Sequence, residues 1–424
     1  MNTFNLFKKI IDLKKNEKIV DMTNSNESIQ NNESFCMIPW IHLNVSPNGD
    51  VPACCTMINT KKTILGNVND NSLEEIWNST QIKNIRLKML EGKKIKECSR
   101  CYHQEEVNKN STSNRQNFNQ KYFKKHKHIV ESTKEDGMVE NFNMVYLDFR
   151  FSNKCNFSCR TCTPYYSSSW EKKLNINMPK INNIRETINK IKQMIIEDKL
   201  EEIYFAGGET LITDEHWEII NFLIENKKNN IILRYNTNLS ILNYKGNNFL
   251  EKMKNFNNLF ISPSCDSLGI KGEYIRTGFS NKIFLKNINL LKENNYEYHI
   301  TAVISFFNVM YLYDFFNDLK NNNVSYNNLF FITITKHVYE VYNLPPEMLD
   351  ITLEGIKKLI DCDFLSSDKK EYFESFYHLL KKNNNFNEKR FKKNIDYIKR
   401  QDSLNKLKFQ DCFPELYNLI SKYF

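Results

Sequence analysis

Three cysteines, Cys155, Cys159 and Cys162, stand on one short stretch, Cys155-Asn-Phe-Ser-Cys159-Arg-Thr-Cys162. Their spacing lets three thiolates converge from a single loop. A cubane cluster held wholly by protein takes four thiolates, so three would leave one iron open. An open iron suits a centre that binds and activates a small molecule. Just before the loop, the apolar run 144–151 reads as a strand.

A second set lies upstream. Cys36 precedes Ile41, Leu43 and Val45, which alternate as in a strand, and Pro47-Asn-Gly49-Asp is a tight turn. A partner strand then delivers Val51-Pro-Ala-Cys54-Cys55, so a hairpin would bring Cys36 near Cys54. Cys98-Ser-Arg-Cys101 adds two more thiols. Cys36, Cys54, Cys98 and Cys101 would saturate a metal site, and a structural zinc takes four thiolates as well as a cluster does. A c-type haem needs His directly after the second Cys, and Tyr102 stands there. Adjacent Cys54 and Cys55 can hardly face one metal together, and Cys54 is the expected ligand. Cys265, Cys362 and Cys412 stand alone and read as small buried hydrophobes.

The elements that must position these thiols follow from the rest of the chain. Its 424 residues suffice for two or three domains. Hydrophobic content of 41% and charged content of 26% are those of a globular protein. The net charge of +9 is spread along the chain and does not argue for nucleic acid. No apolar run reaches the length of a membrane span, and the first residues lack a secretory signal, so a cytoplasmic location is expected. The spacing of Phe4, Phe7 and Ile11 is helical. In a cytosolic protein, eleven cysteines point to metal or redox chemistry more than to disulfides.

Residues 1–34 read as a flexible lead-in, 35–107 as the cysteine-bearing module and 108–143 as a polar linker. Within the module, Ser72 and Glu75 form a capping-box pattern and 82–90 reads as a helix. From 144 to 345, strands expected at 144–151, 202–206, 231–236, 259–264, 298–305 and 329–335 alternate with helices at 184–196, 214–225, 249–253, 283–291 and 309–319. That alternation implies α/β architecture, a parallel sheet with right-handed crossovers and its site at the strands' carboxyl ends. Residues 346–424 read as a helical extension without chemistry of its own.

The functional-looking residues fall at those ends. The three cysteines follow the first strand, Gly207-Gly208-Glu209 the second, Thr237-Asn238 the third, Ser264-Cys-Asp266 the fourth, and Ser305 with Asn308 the fifth. The two glycines permit close backbone approach. Glu209 can accept from a ligand ammonium, and Arg276 can hold a ligand carboxylate in bidentate fashion. Ser264, Asp266 and Ser305 can bond a ribose or other polar groups. Beside an open iron, that describes a site for the amino-acid end of a zwitterion.

On these residues the chain resembles the radical S-adenosylmethionine superfamily, through CxxxCxxC after the first strand and Gly-Gly-Glu after the second. Cys36-x-x-Pro-Trp40, Pro47-Asn-Gly-Asp-Val-x-x-Cys54 and Cys98-x-x-Cys101 resemble the SPASM/twitch auxiliary-cluster module. The resemblance implies a partial (β/α)6 TIM-like barrel with an N-terminal auxiliary domain. It also implies two [4Fe–4S] clusters, one on Cys155, Cys159 and Cys162 with S-adenosylmethionine on its open iron, the other on Cys36, Cys54, Cys98 and Cys101. For the second site it raises iron–sulfur above zinc. Gly207, Gly208, Glu209, Asn238, Ser264, Asp266, Arg276, Ser305 and Asn308 match the cofactor-binding segments.

The activity implied is cleavage of S-adenosylmethionine and hydrogen abstraction from a peptide or small metabolite, of oxidoreductase type, with a flavodoxin or ferredoxin as electron donor. The order departs from the usual one, since the auxiliary module precedes the barrel. Thr161 stands where an aromatic residue often covers the adenine, and Phe157 is a candidate replacement. A zinc-stabilised binding protein or a plain electron carrier would leave the three-cysteine loop or the zwitterion pattern unexplained.

Overall fold

A computed structural model describes residues 32–58, 63–107, 113–327, 329–334 and 338–424. The helical spacing of Phe4, Phe7 and Ile11 lies outside the described residues, as does Thr335. The chain forms two compact units. The first comprises the described residues through Ser152 with Pro179–Tyr204 and Phe222–Ile231. The second comprises Asn153–Met178, Phe205–Asn221 and Ile232–Phe424. All three cysteines of the 155–162 loop are in the second, and the four upstream cysteines are in the first.

In the first unit, strands β1 (His42–Val45), β2 (Asp50–Pro52), β3 (Ile64–Asn67), β4 (Tyr146–Phe149) and β5 (Glu202–Phe205) form two sheets. The expected hairpin is not a two-strand ladder. β1 pairs in parallel with β4, His42 opposite Tyr146 and Val45 opposite Phe149, and β4 pairs in parallel with β5. β2 instead pairs antiparallel with β3. The turn itself forms, with Gly49 at φ 90° donating to Ser46 O at 2.9 Å. All four β1 residues are buried. A strand covered on both faces gains from joining a larger sheet, here as its edge, whereas an isolated two-strand ribbon is marginal in water.

The stretch 108–143, expected to be a linker, carries a packed helix, Asn114–Glu131, closed by a Ser113–Gln116 capping box. Tyr122, Phe123, His126, Ile129 and Val130 are its buried stripe. The abundant Lys, His and Asn on its other face conceal that stripe in the composition. The Ser72–Glu75 capping box forms and starts Leu73–Trp77, and Thr80–Leu90 follows. Arg86 is fully buried between them, donating to Pro39 O, Asn78 Oδ1 and Trp77 O at 2.9–3.0 Å. Burial brings its pKa down to about 9.

In the second unit, β6 (Ile232–Thr237), the small hairpin β7 (Asn243–Tyr244) and β8 (Asn247–Asn248), then β9 (Leu259–Pro263), β10 (Thr301–Ile304) and β11 (Phe330–Thr333) follow in chain order. β6 pairs in parallel with β9, and β10 with β11. Parallel bridges Ile261–Tyr298 and Ser264–Thr301 join β9 to the start of β10. Helices Phe249–Met253, Gly269–Ile275, Asn281–Glu293 and Leu312–Asn321 alternate with these strands. All six expected barrel strands are present as β4, β5, β6, β9, β10 and β11, so the architecture is α/β as the alternation implied. The helices Pro346–Asp361, Ser367–Asn383, Glu388–Ser403 and Pro414–Ile420 make the C-terminal extension helical.

Candidate functional site: a three-thiol loop and a four-thiol cavity

The 155–162 loop leaves the sheet without regular structure, and its shape is held by side chains of the next helix. Ser168 Oγ accepts from Cys155 N–H at 3.1 Å, Ser169 Oγ donates to Cys155 O at 2.8 Å, and Trp170 Nε1 donates to Cys159 O at 2.9 Å. The three thiols are free, partly exposed and electrostatically coupled to one another. Burial pushes Cys159 up to about 12, with the Arg276 guanidinium offsetting part of that rise. It raises Cys155 and Cys162 as well. Without iron these groups are therefore thiols, and iron binding must release their protons. Three thiols on one loop beside a cation suit an iron cluster with one open position.

Gly208 explains the Gly-Gly pair. A Cβ there would stand 2.3 Å from Lys154 O, and the next residue, Glu209, donates its N–H to that same oxygen at 2.8 Å. Gly207 has φ 124°. The pair thus lets the segment after β5 touch the main chain of the cysteine loop. Glu209 is 1% exposed. Its carboxylate accepts from Leu211 N–H at 3.1 Å, Thr237 Oγ1 at 2.8 Å and Asn238 N–H at 2.6 Å. Burial raises its pKa while these three bonds pull it back. A carboxylate has about four acceptor positions, and these three bonds leave one over. Asn238 Nδ2 reaches Asn156 Oδ1 on the loop at 2.8 Å.

Arg276 and Asp266, each expected to meet a ligand, lie side by side. They grip each other, Nε to Oδ2 at 2.8 Å and Nη2 to Oδ1 at 3.0 Å, and Asp266 also accepts from Val303 N–H at 2.7 Å. A buried carboxylate needs such a partner, and the nearest guanidinium supplies it. Asn308 is likewise a corner brace, donating to Asp266 O at 2.8 Å and Val303 O at 2.9 Å and accepting from Ser305 N–H. Ser264 N–H donates to Thr237 O at 2.8 Å. Phe157, the candidate adenine cover, is 2% exposed and packs where a Cβ on Gly278 would stand, 2.7 Å away. It is core. A groove lined by Lys292, His299 and Lys320 lies at the amino ends of β10 and β11 and contains none of these residues.

In the first unit, Cys36, Cys54, Cys98 and Cys101 line one small cavity with Ile38, Met57, Met89 and Phe118. Cys55 is exposed and is not among its walls. A hydrogen bond from the Cys55 thiol pulls Cys54 down to about 6 against its burial, and Thr56 N–H and Oγ1 help at 3.5 and 3.2 Å. Burial drives Cys98 up to about 12 and also raises Cys36 and Cys101. Among the described residues no three His, Cys, Asp or Glu side chains close on a single ion. Four thiols lining one cavity are a donor set that a zinc ion or an iron–sulfur cluster could each use.

The polar face of β1, β4 and β5 escaped the sequence reading. His42 and Asn44, Tyr146 and Asp148, and Glu202 and Tyr204 share one face, opposite Leu43, Val45, Leu147, Phe149, Ile203 and Phe205. Arg150 pairs with Asp148 at 3.3 Å, and the buried Asn44 Oδ1 has no hydrogen-bond partner. The signal was present as alternation in His42-Leu-Asn-Val45.

Residues 149–319 match the family model described as the Radical SAM superfamily, and residues 36–102 match SPASM, an iron-sulfur cluster-binding domain. Among curated proteins, the radical SAM cyclopropyl synthase TigE of Paramaledivibacter caminithermalis is 27% identical over 252 residues, covering 55% of this chain and 49% of that protein. An uncharacterized protein of Methanocaldococcus jannaschii is 28% identical over 177 residues, covering 41% of this chain and 57% of that one. The chain spans about half the length of the curated relatives it matches. Similar solved structures include native anSMEcpe with bound AdoMet, at TM-score 0.38 and 18% identity over 49% of this chain and 58% of that one. Streptococcus suis SuiB bound to precursor peptide SuiA matches at TM-score 0.36 and 14% identity, over 62% and 59%.

Proposed function

We propose, for a chain that belongs to the radical SAM superfamily and carries a SPASM iron–sulfur domain, that it abstracts hydrogen from a peptide or small metabolite in a net oxidation. The bound cluster and S-adenosylmethionine supply reductive cleavage to methionine and a 5′-deoxyadenosyl radical. The chain's own residues do the holding. Cys155, Cys159 and Cys162 would ligate the iron, the Gly207–Gly208 segment would admit the methionine end, and Glu209 would take its ammonium with the acceptor position left over. Asp266, Arg276, Ser305 and Asn308 would act as the frame under the nucleoside.

The single observation behind this reading is the three-thiol loop, whose neighbour Lys154 O receives the Glu209 N–H through a glycine no other residue could replace. Cys36, Cys54, Cys98 and Cys101 would hold a saturated second cluster that accepts the electron left on the substrate. The related cyclopropyl synthase suits such an oxidation, because closing a cyclopropane on a saturated chain forms one C–C bond and breaks two C–H bonds. A flavodoxin or ferredoxin would supply the first electron, in the cytoplasm. No helix among the described residues is long and apolar enough to cross a membrane.

Anaerobic reconstitution tests the reading. About eight irons per chain are expected for two [4Fe–4S] clusters, with 5′-deoxyadenosine released on adding S-adenosylmethionine and a strong reductant. Replacing Cys155, Cys159 and Cys162 by Ala should abolish release while about four irons remain. Iron without deoxyadenosine would mark an electron carrier and sink the proposal.

A further inference from the structure

We propose that the C-terminal extension belongs to the cluster site: Gln401 and Asp402 clasp Arg160 and so set the conformation of the three-cysteine loop. The inference rests on that loop holding the cluster. Arg160 lies between Cys159 and Cys162 in sequence, is 1% exposed, and its side chain engages residues outside the loop. Its guanidinium pairs with Asp402 at 2.8 Å, donates to Leu407 O at 3.0 Å and sits 4.0 Å over the Tyr274 ring. Tyr274 in turn donates its hydroxyl to Asp402 at 2.8 Å, and Asp402 also accepts from Phe409 N–H at 2.7 Å.

The main chain is pinned as firmly. Arg160 N–H donates to Ile275 O at 2.7 Å, Arg160 O accepts from Gln401 Nε2 at 3.0 Å, and Ser158 N–H donates to Thr277 O at 2.8 Å. Lys173 joins Ser158 Oγ to Asn405 Oδ1. The loop is thus held on one side by residues 274–277 and on the other by 401–407. Three thiolates on an irregular loop cannot preserve a cluster's geometry unless the main chain between them is over-determined. A buried guanidinium that loses its carboxylate must find water or another partner, and movement of the loop or of residues 401–407 supplies one. Asp402 and Gln401 are positioning residues, since they act through Arg160.

Asp402→Asn in the full-length chain tests this through two readouts. Amide hydrogen exchange of the peptide spanning 156–163 should quicken at least about tenfold, while the peptide spanning 36–55 keeps its wild-type rate. In reconstituted protein, the change that S-adenosylmethionine makes in the reduced-cluster spectrum should fall by a similar factor, and Asp402→Glu should restore part of it. Should Asp402→Asn not fold, Gln401→Leu removes one bond and no charge, and about threefold faster exchange is expected. Wild-type exchange across 156–163 in the variant would overturn the clasp. A wild-type protein whose spectrum ignores S-adenosylmethionine would instead overturn the cluster reading, leaving the exchange result to judge the clasp.

Discussion

Glu209 braces the second unit, because one buried carboxylate satisfies three donors from two separate strand ends. Glu209→Gln presents an NH2 to at least one of those donors. The cost of an unsatisfied buried group is about 1–3 kcal/mol, and the variant should melt at lower temperature and bind S-adenosylmethionine more weakly by equilibrium dialysis. Cys54 and Cys55 separate as sharply. Cys54→Ala should lower reconstituted iron from about eight to about four per chain. Cys55→Ala should keep its iron, losing only the hydrogen bond that holds Cys54 near 6. Equal iron loss in the two variants would contradict the cavity's choice of Cys54.

At the scale of elements, the Asn114–Glu131 helix secures the N-terminal module. Phe123 is 5% exposed and meets Phe35 edge-on at 5.5 Å, beside Cys36 in sequence. Phe123→Ala should cost about 3–5 kcal/mol, read by urea unfolding of the full chain. The same helix presents His126 and Lys125 to Glu201, on the segment entering β5. The His126 hydrogen bond, followed by that of Lys125, brings the Glu201 carboxyl down to about 2. Its folded pKa is depressed, so its contribution is complete above the unfolded value of about 4.3. It is lost as pH falls from there toward 2. Glu201 keeps 29% of its side chain exposed, so screening keeps the effect small. Melting temperature against pH should drop less steeply across that window in Glu201→Gln than in the wild type.

For the molecule as a whole, each unit encloses its own thiol set, and metal binding should add stability to each. Chelation of iron from reconstituted protein should lower the melting temperature, and Cys54→Ala should remove part of that difference. What the sequence by itself determined was local. Cys155, Cys159 and Cys162 lie within eight residues, so their grouping needs no knowledge of the fold. The helices Ile184–Ile196, Asp214–Glu225 and Phe249–Met253 match their apolar periods because a helix is closed by contacts three and four residues away. Only the tertiary structure decided the pairings between distant residues. It sent β1 to β4 across about a hundred residues rather than back along its own turn. It matched Arg276 with Asp266, put Cys54 and not Cys55 on the cavity wall, and brought Gln401 and Asp402 to Arg160. Each of those outcomes turns on which buried charge, thiol or strand edge finds its partner, and burial is a property of the folded chain.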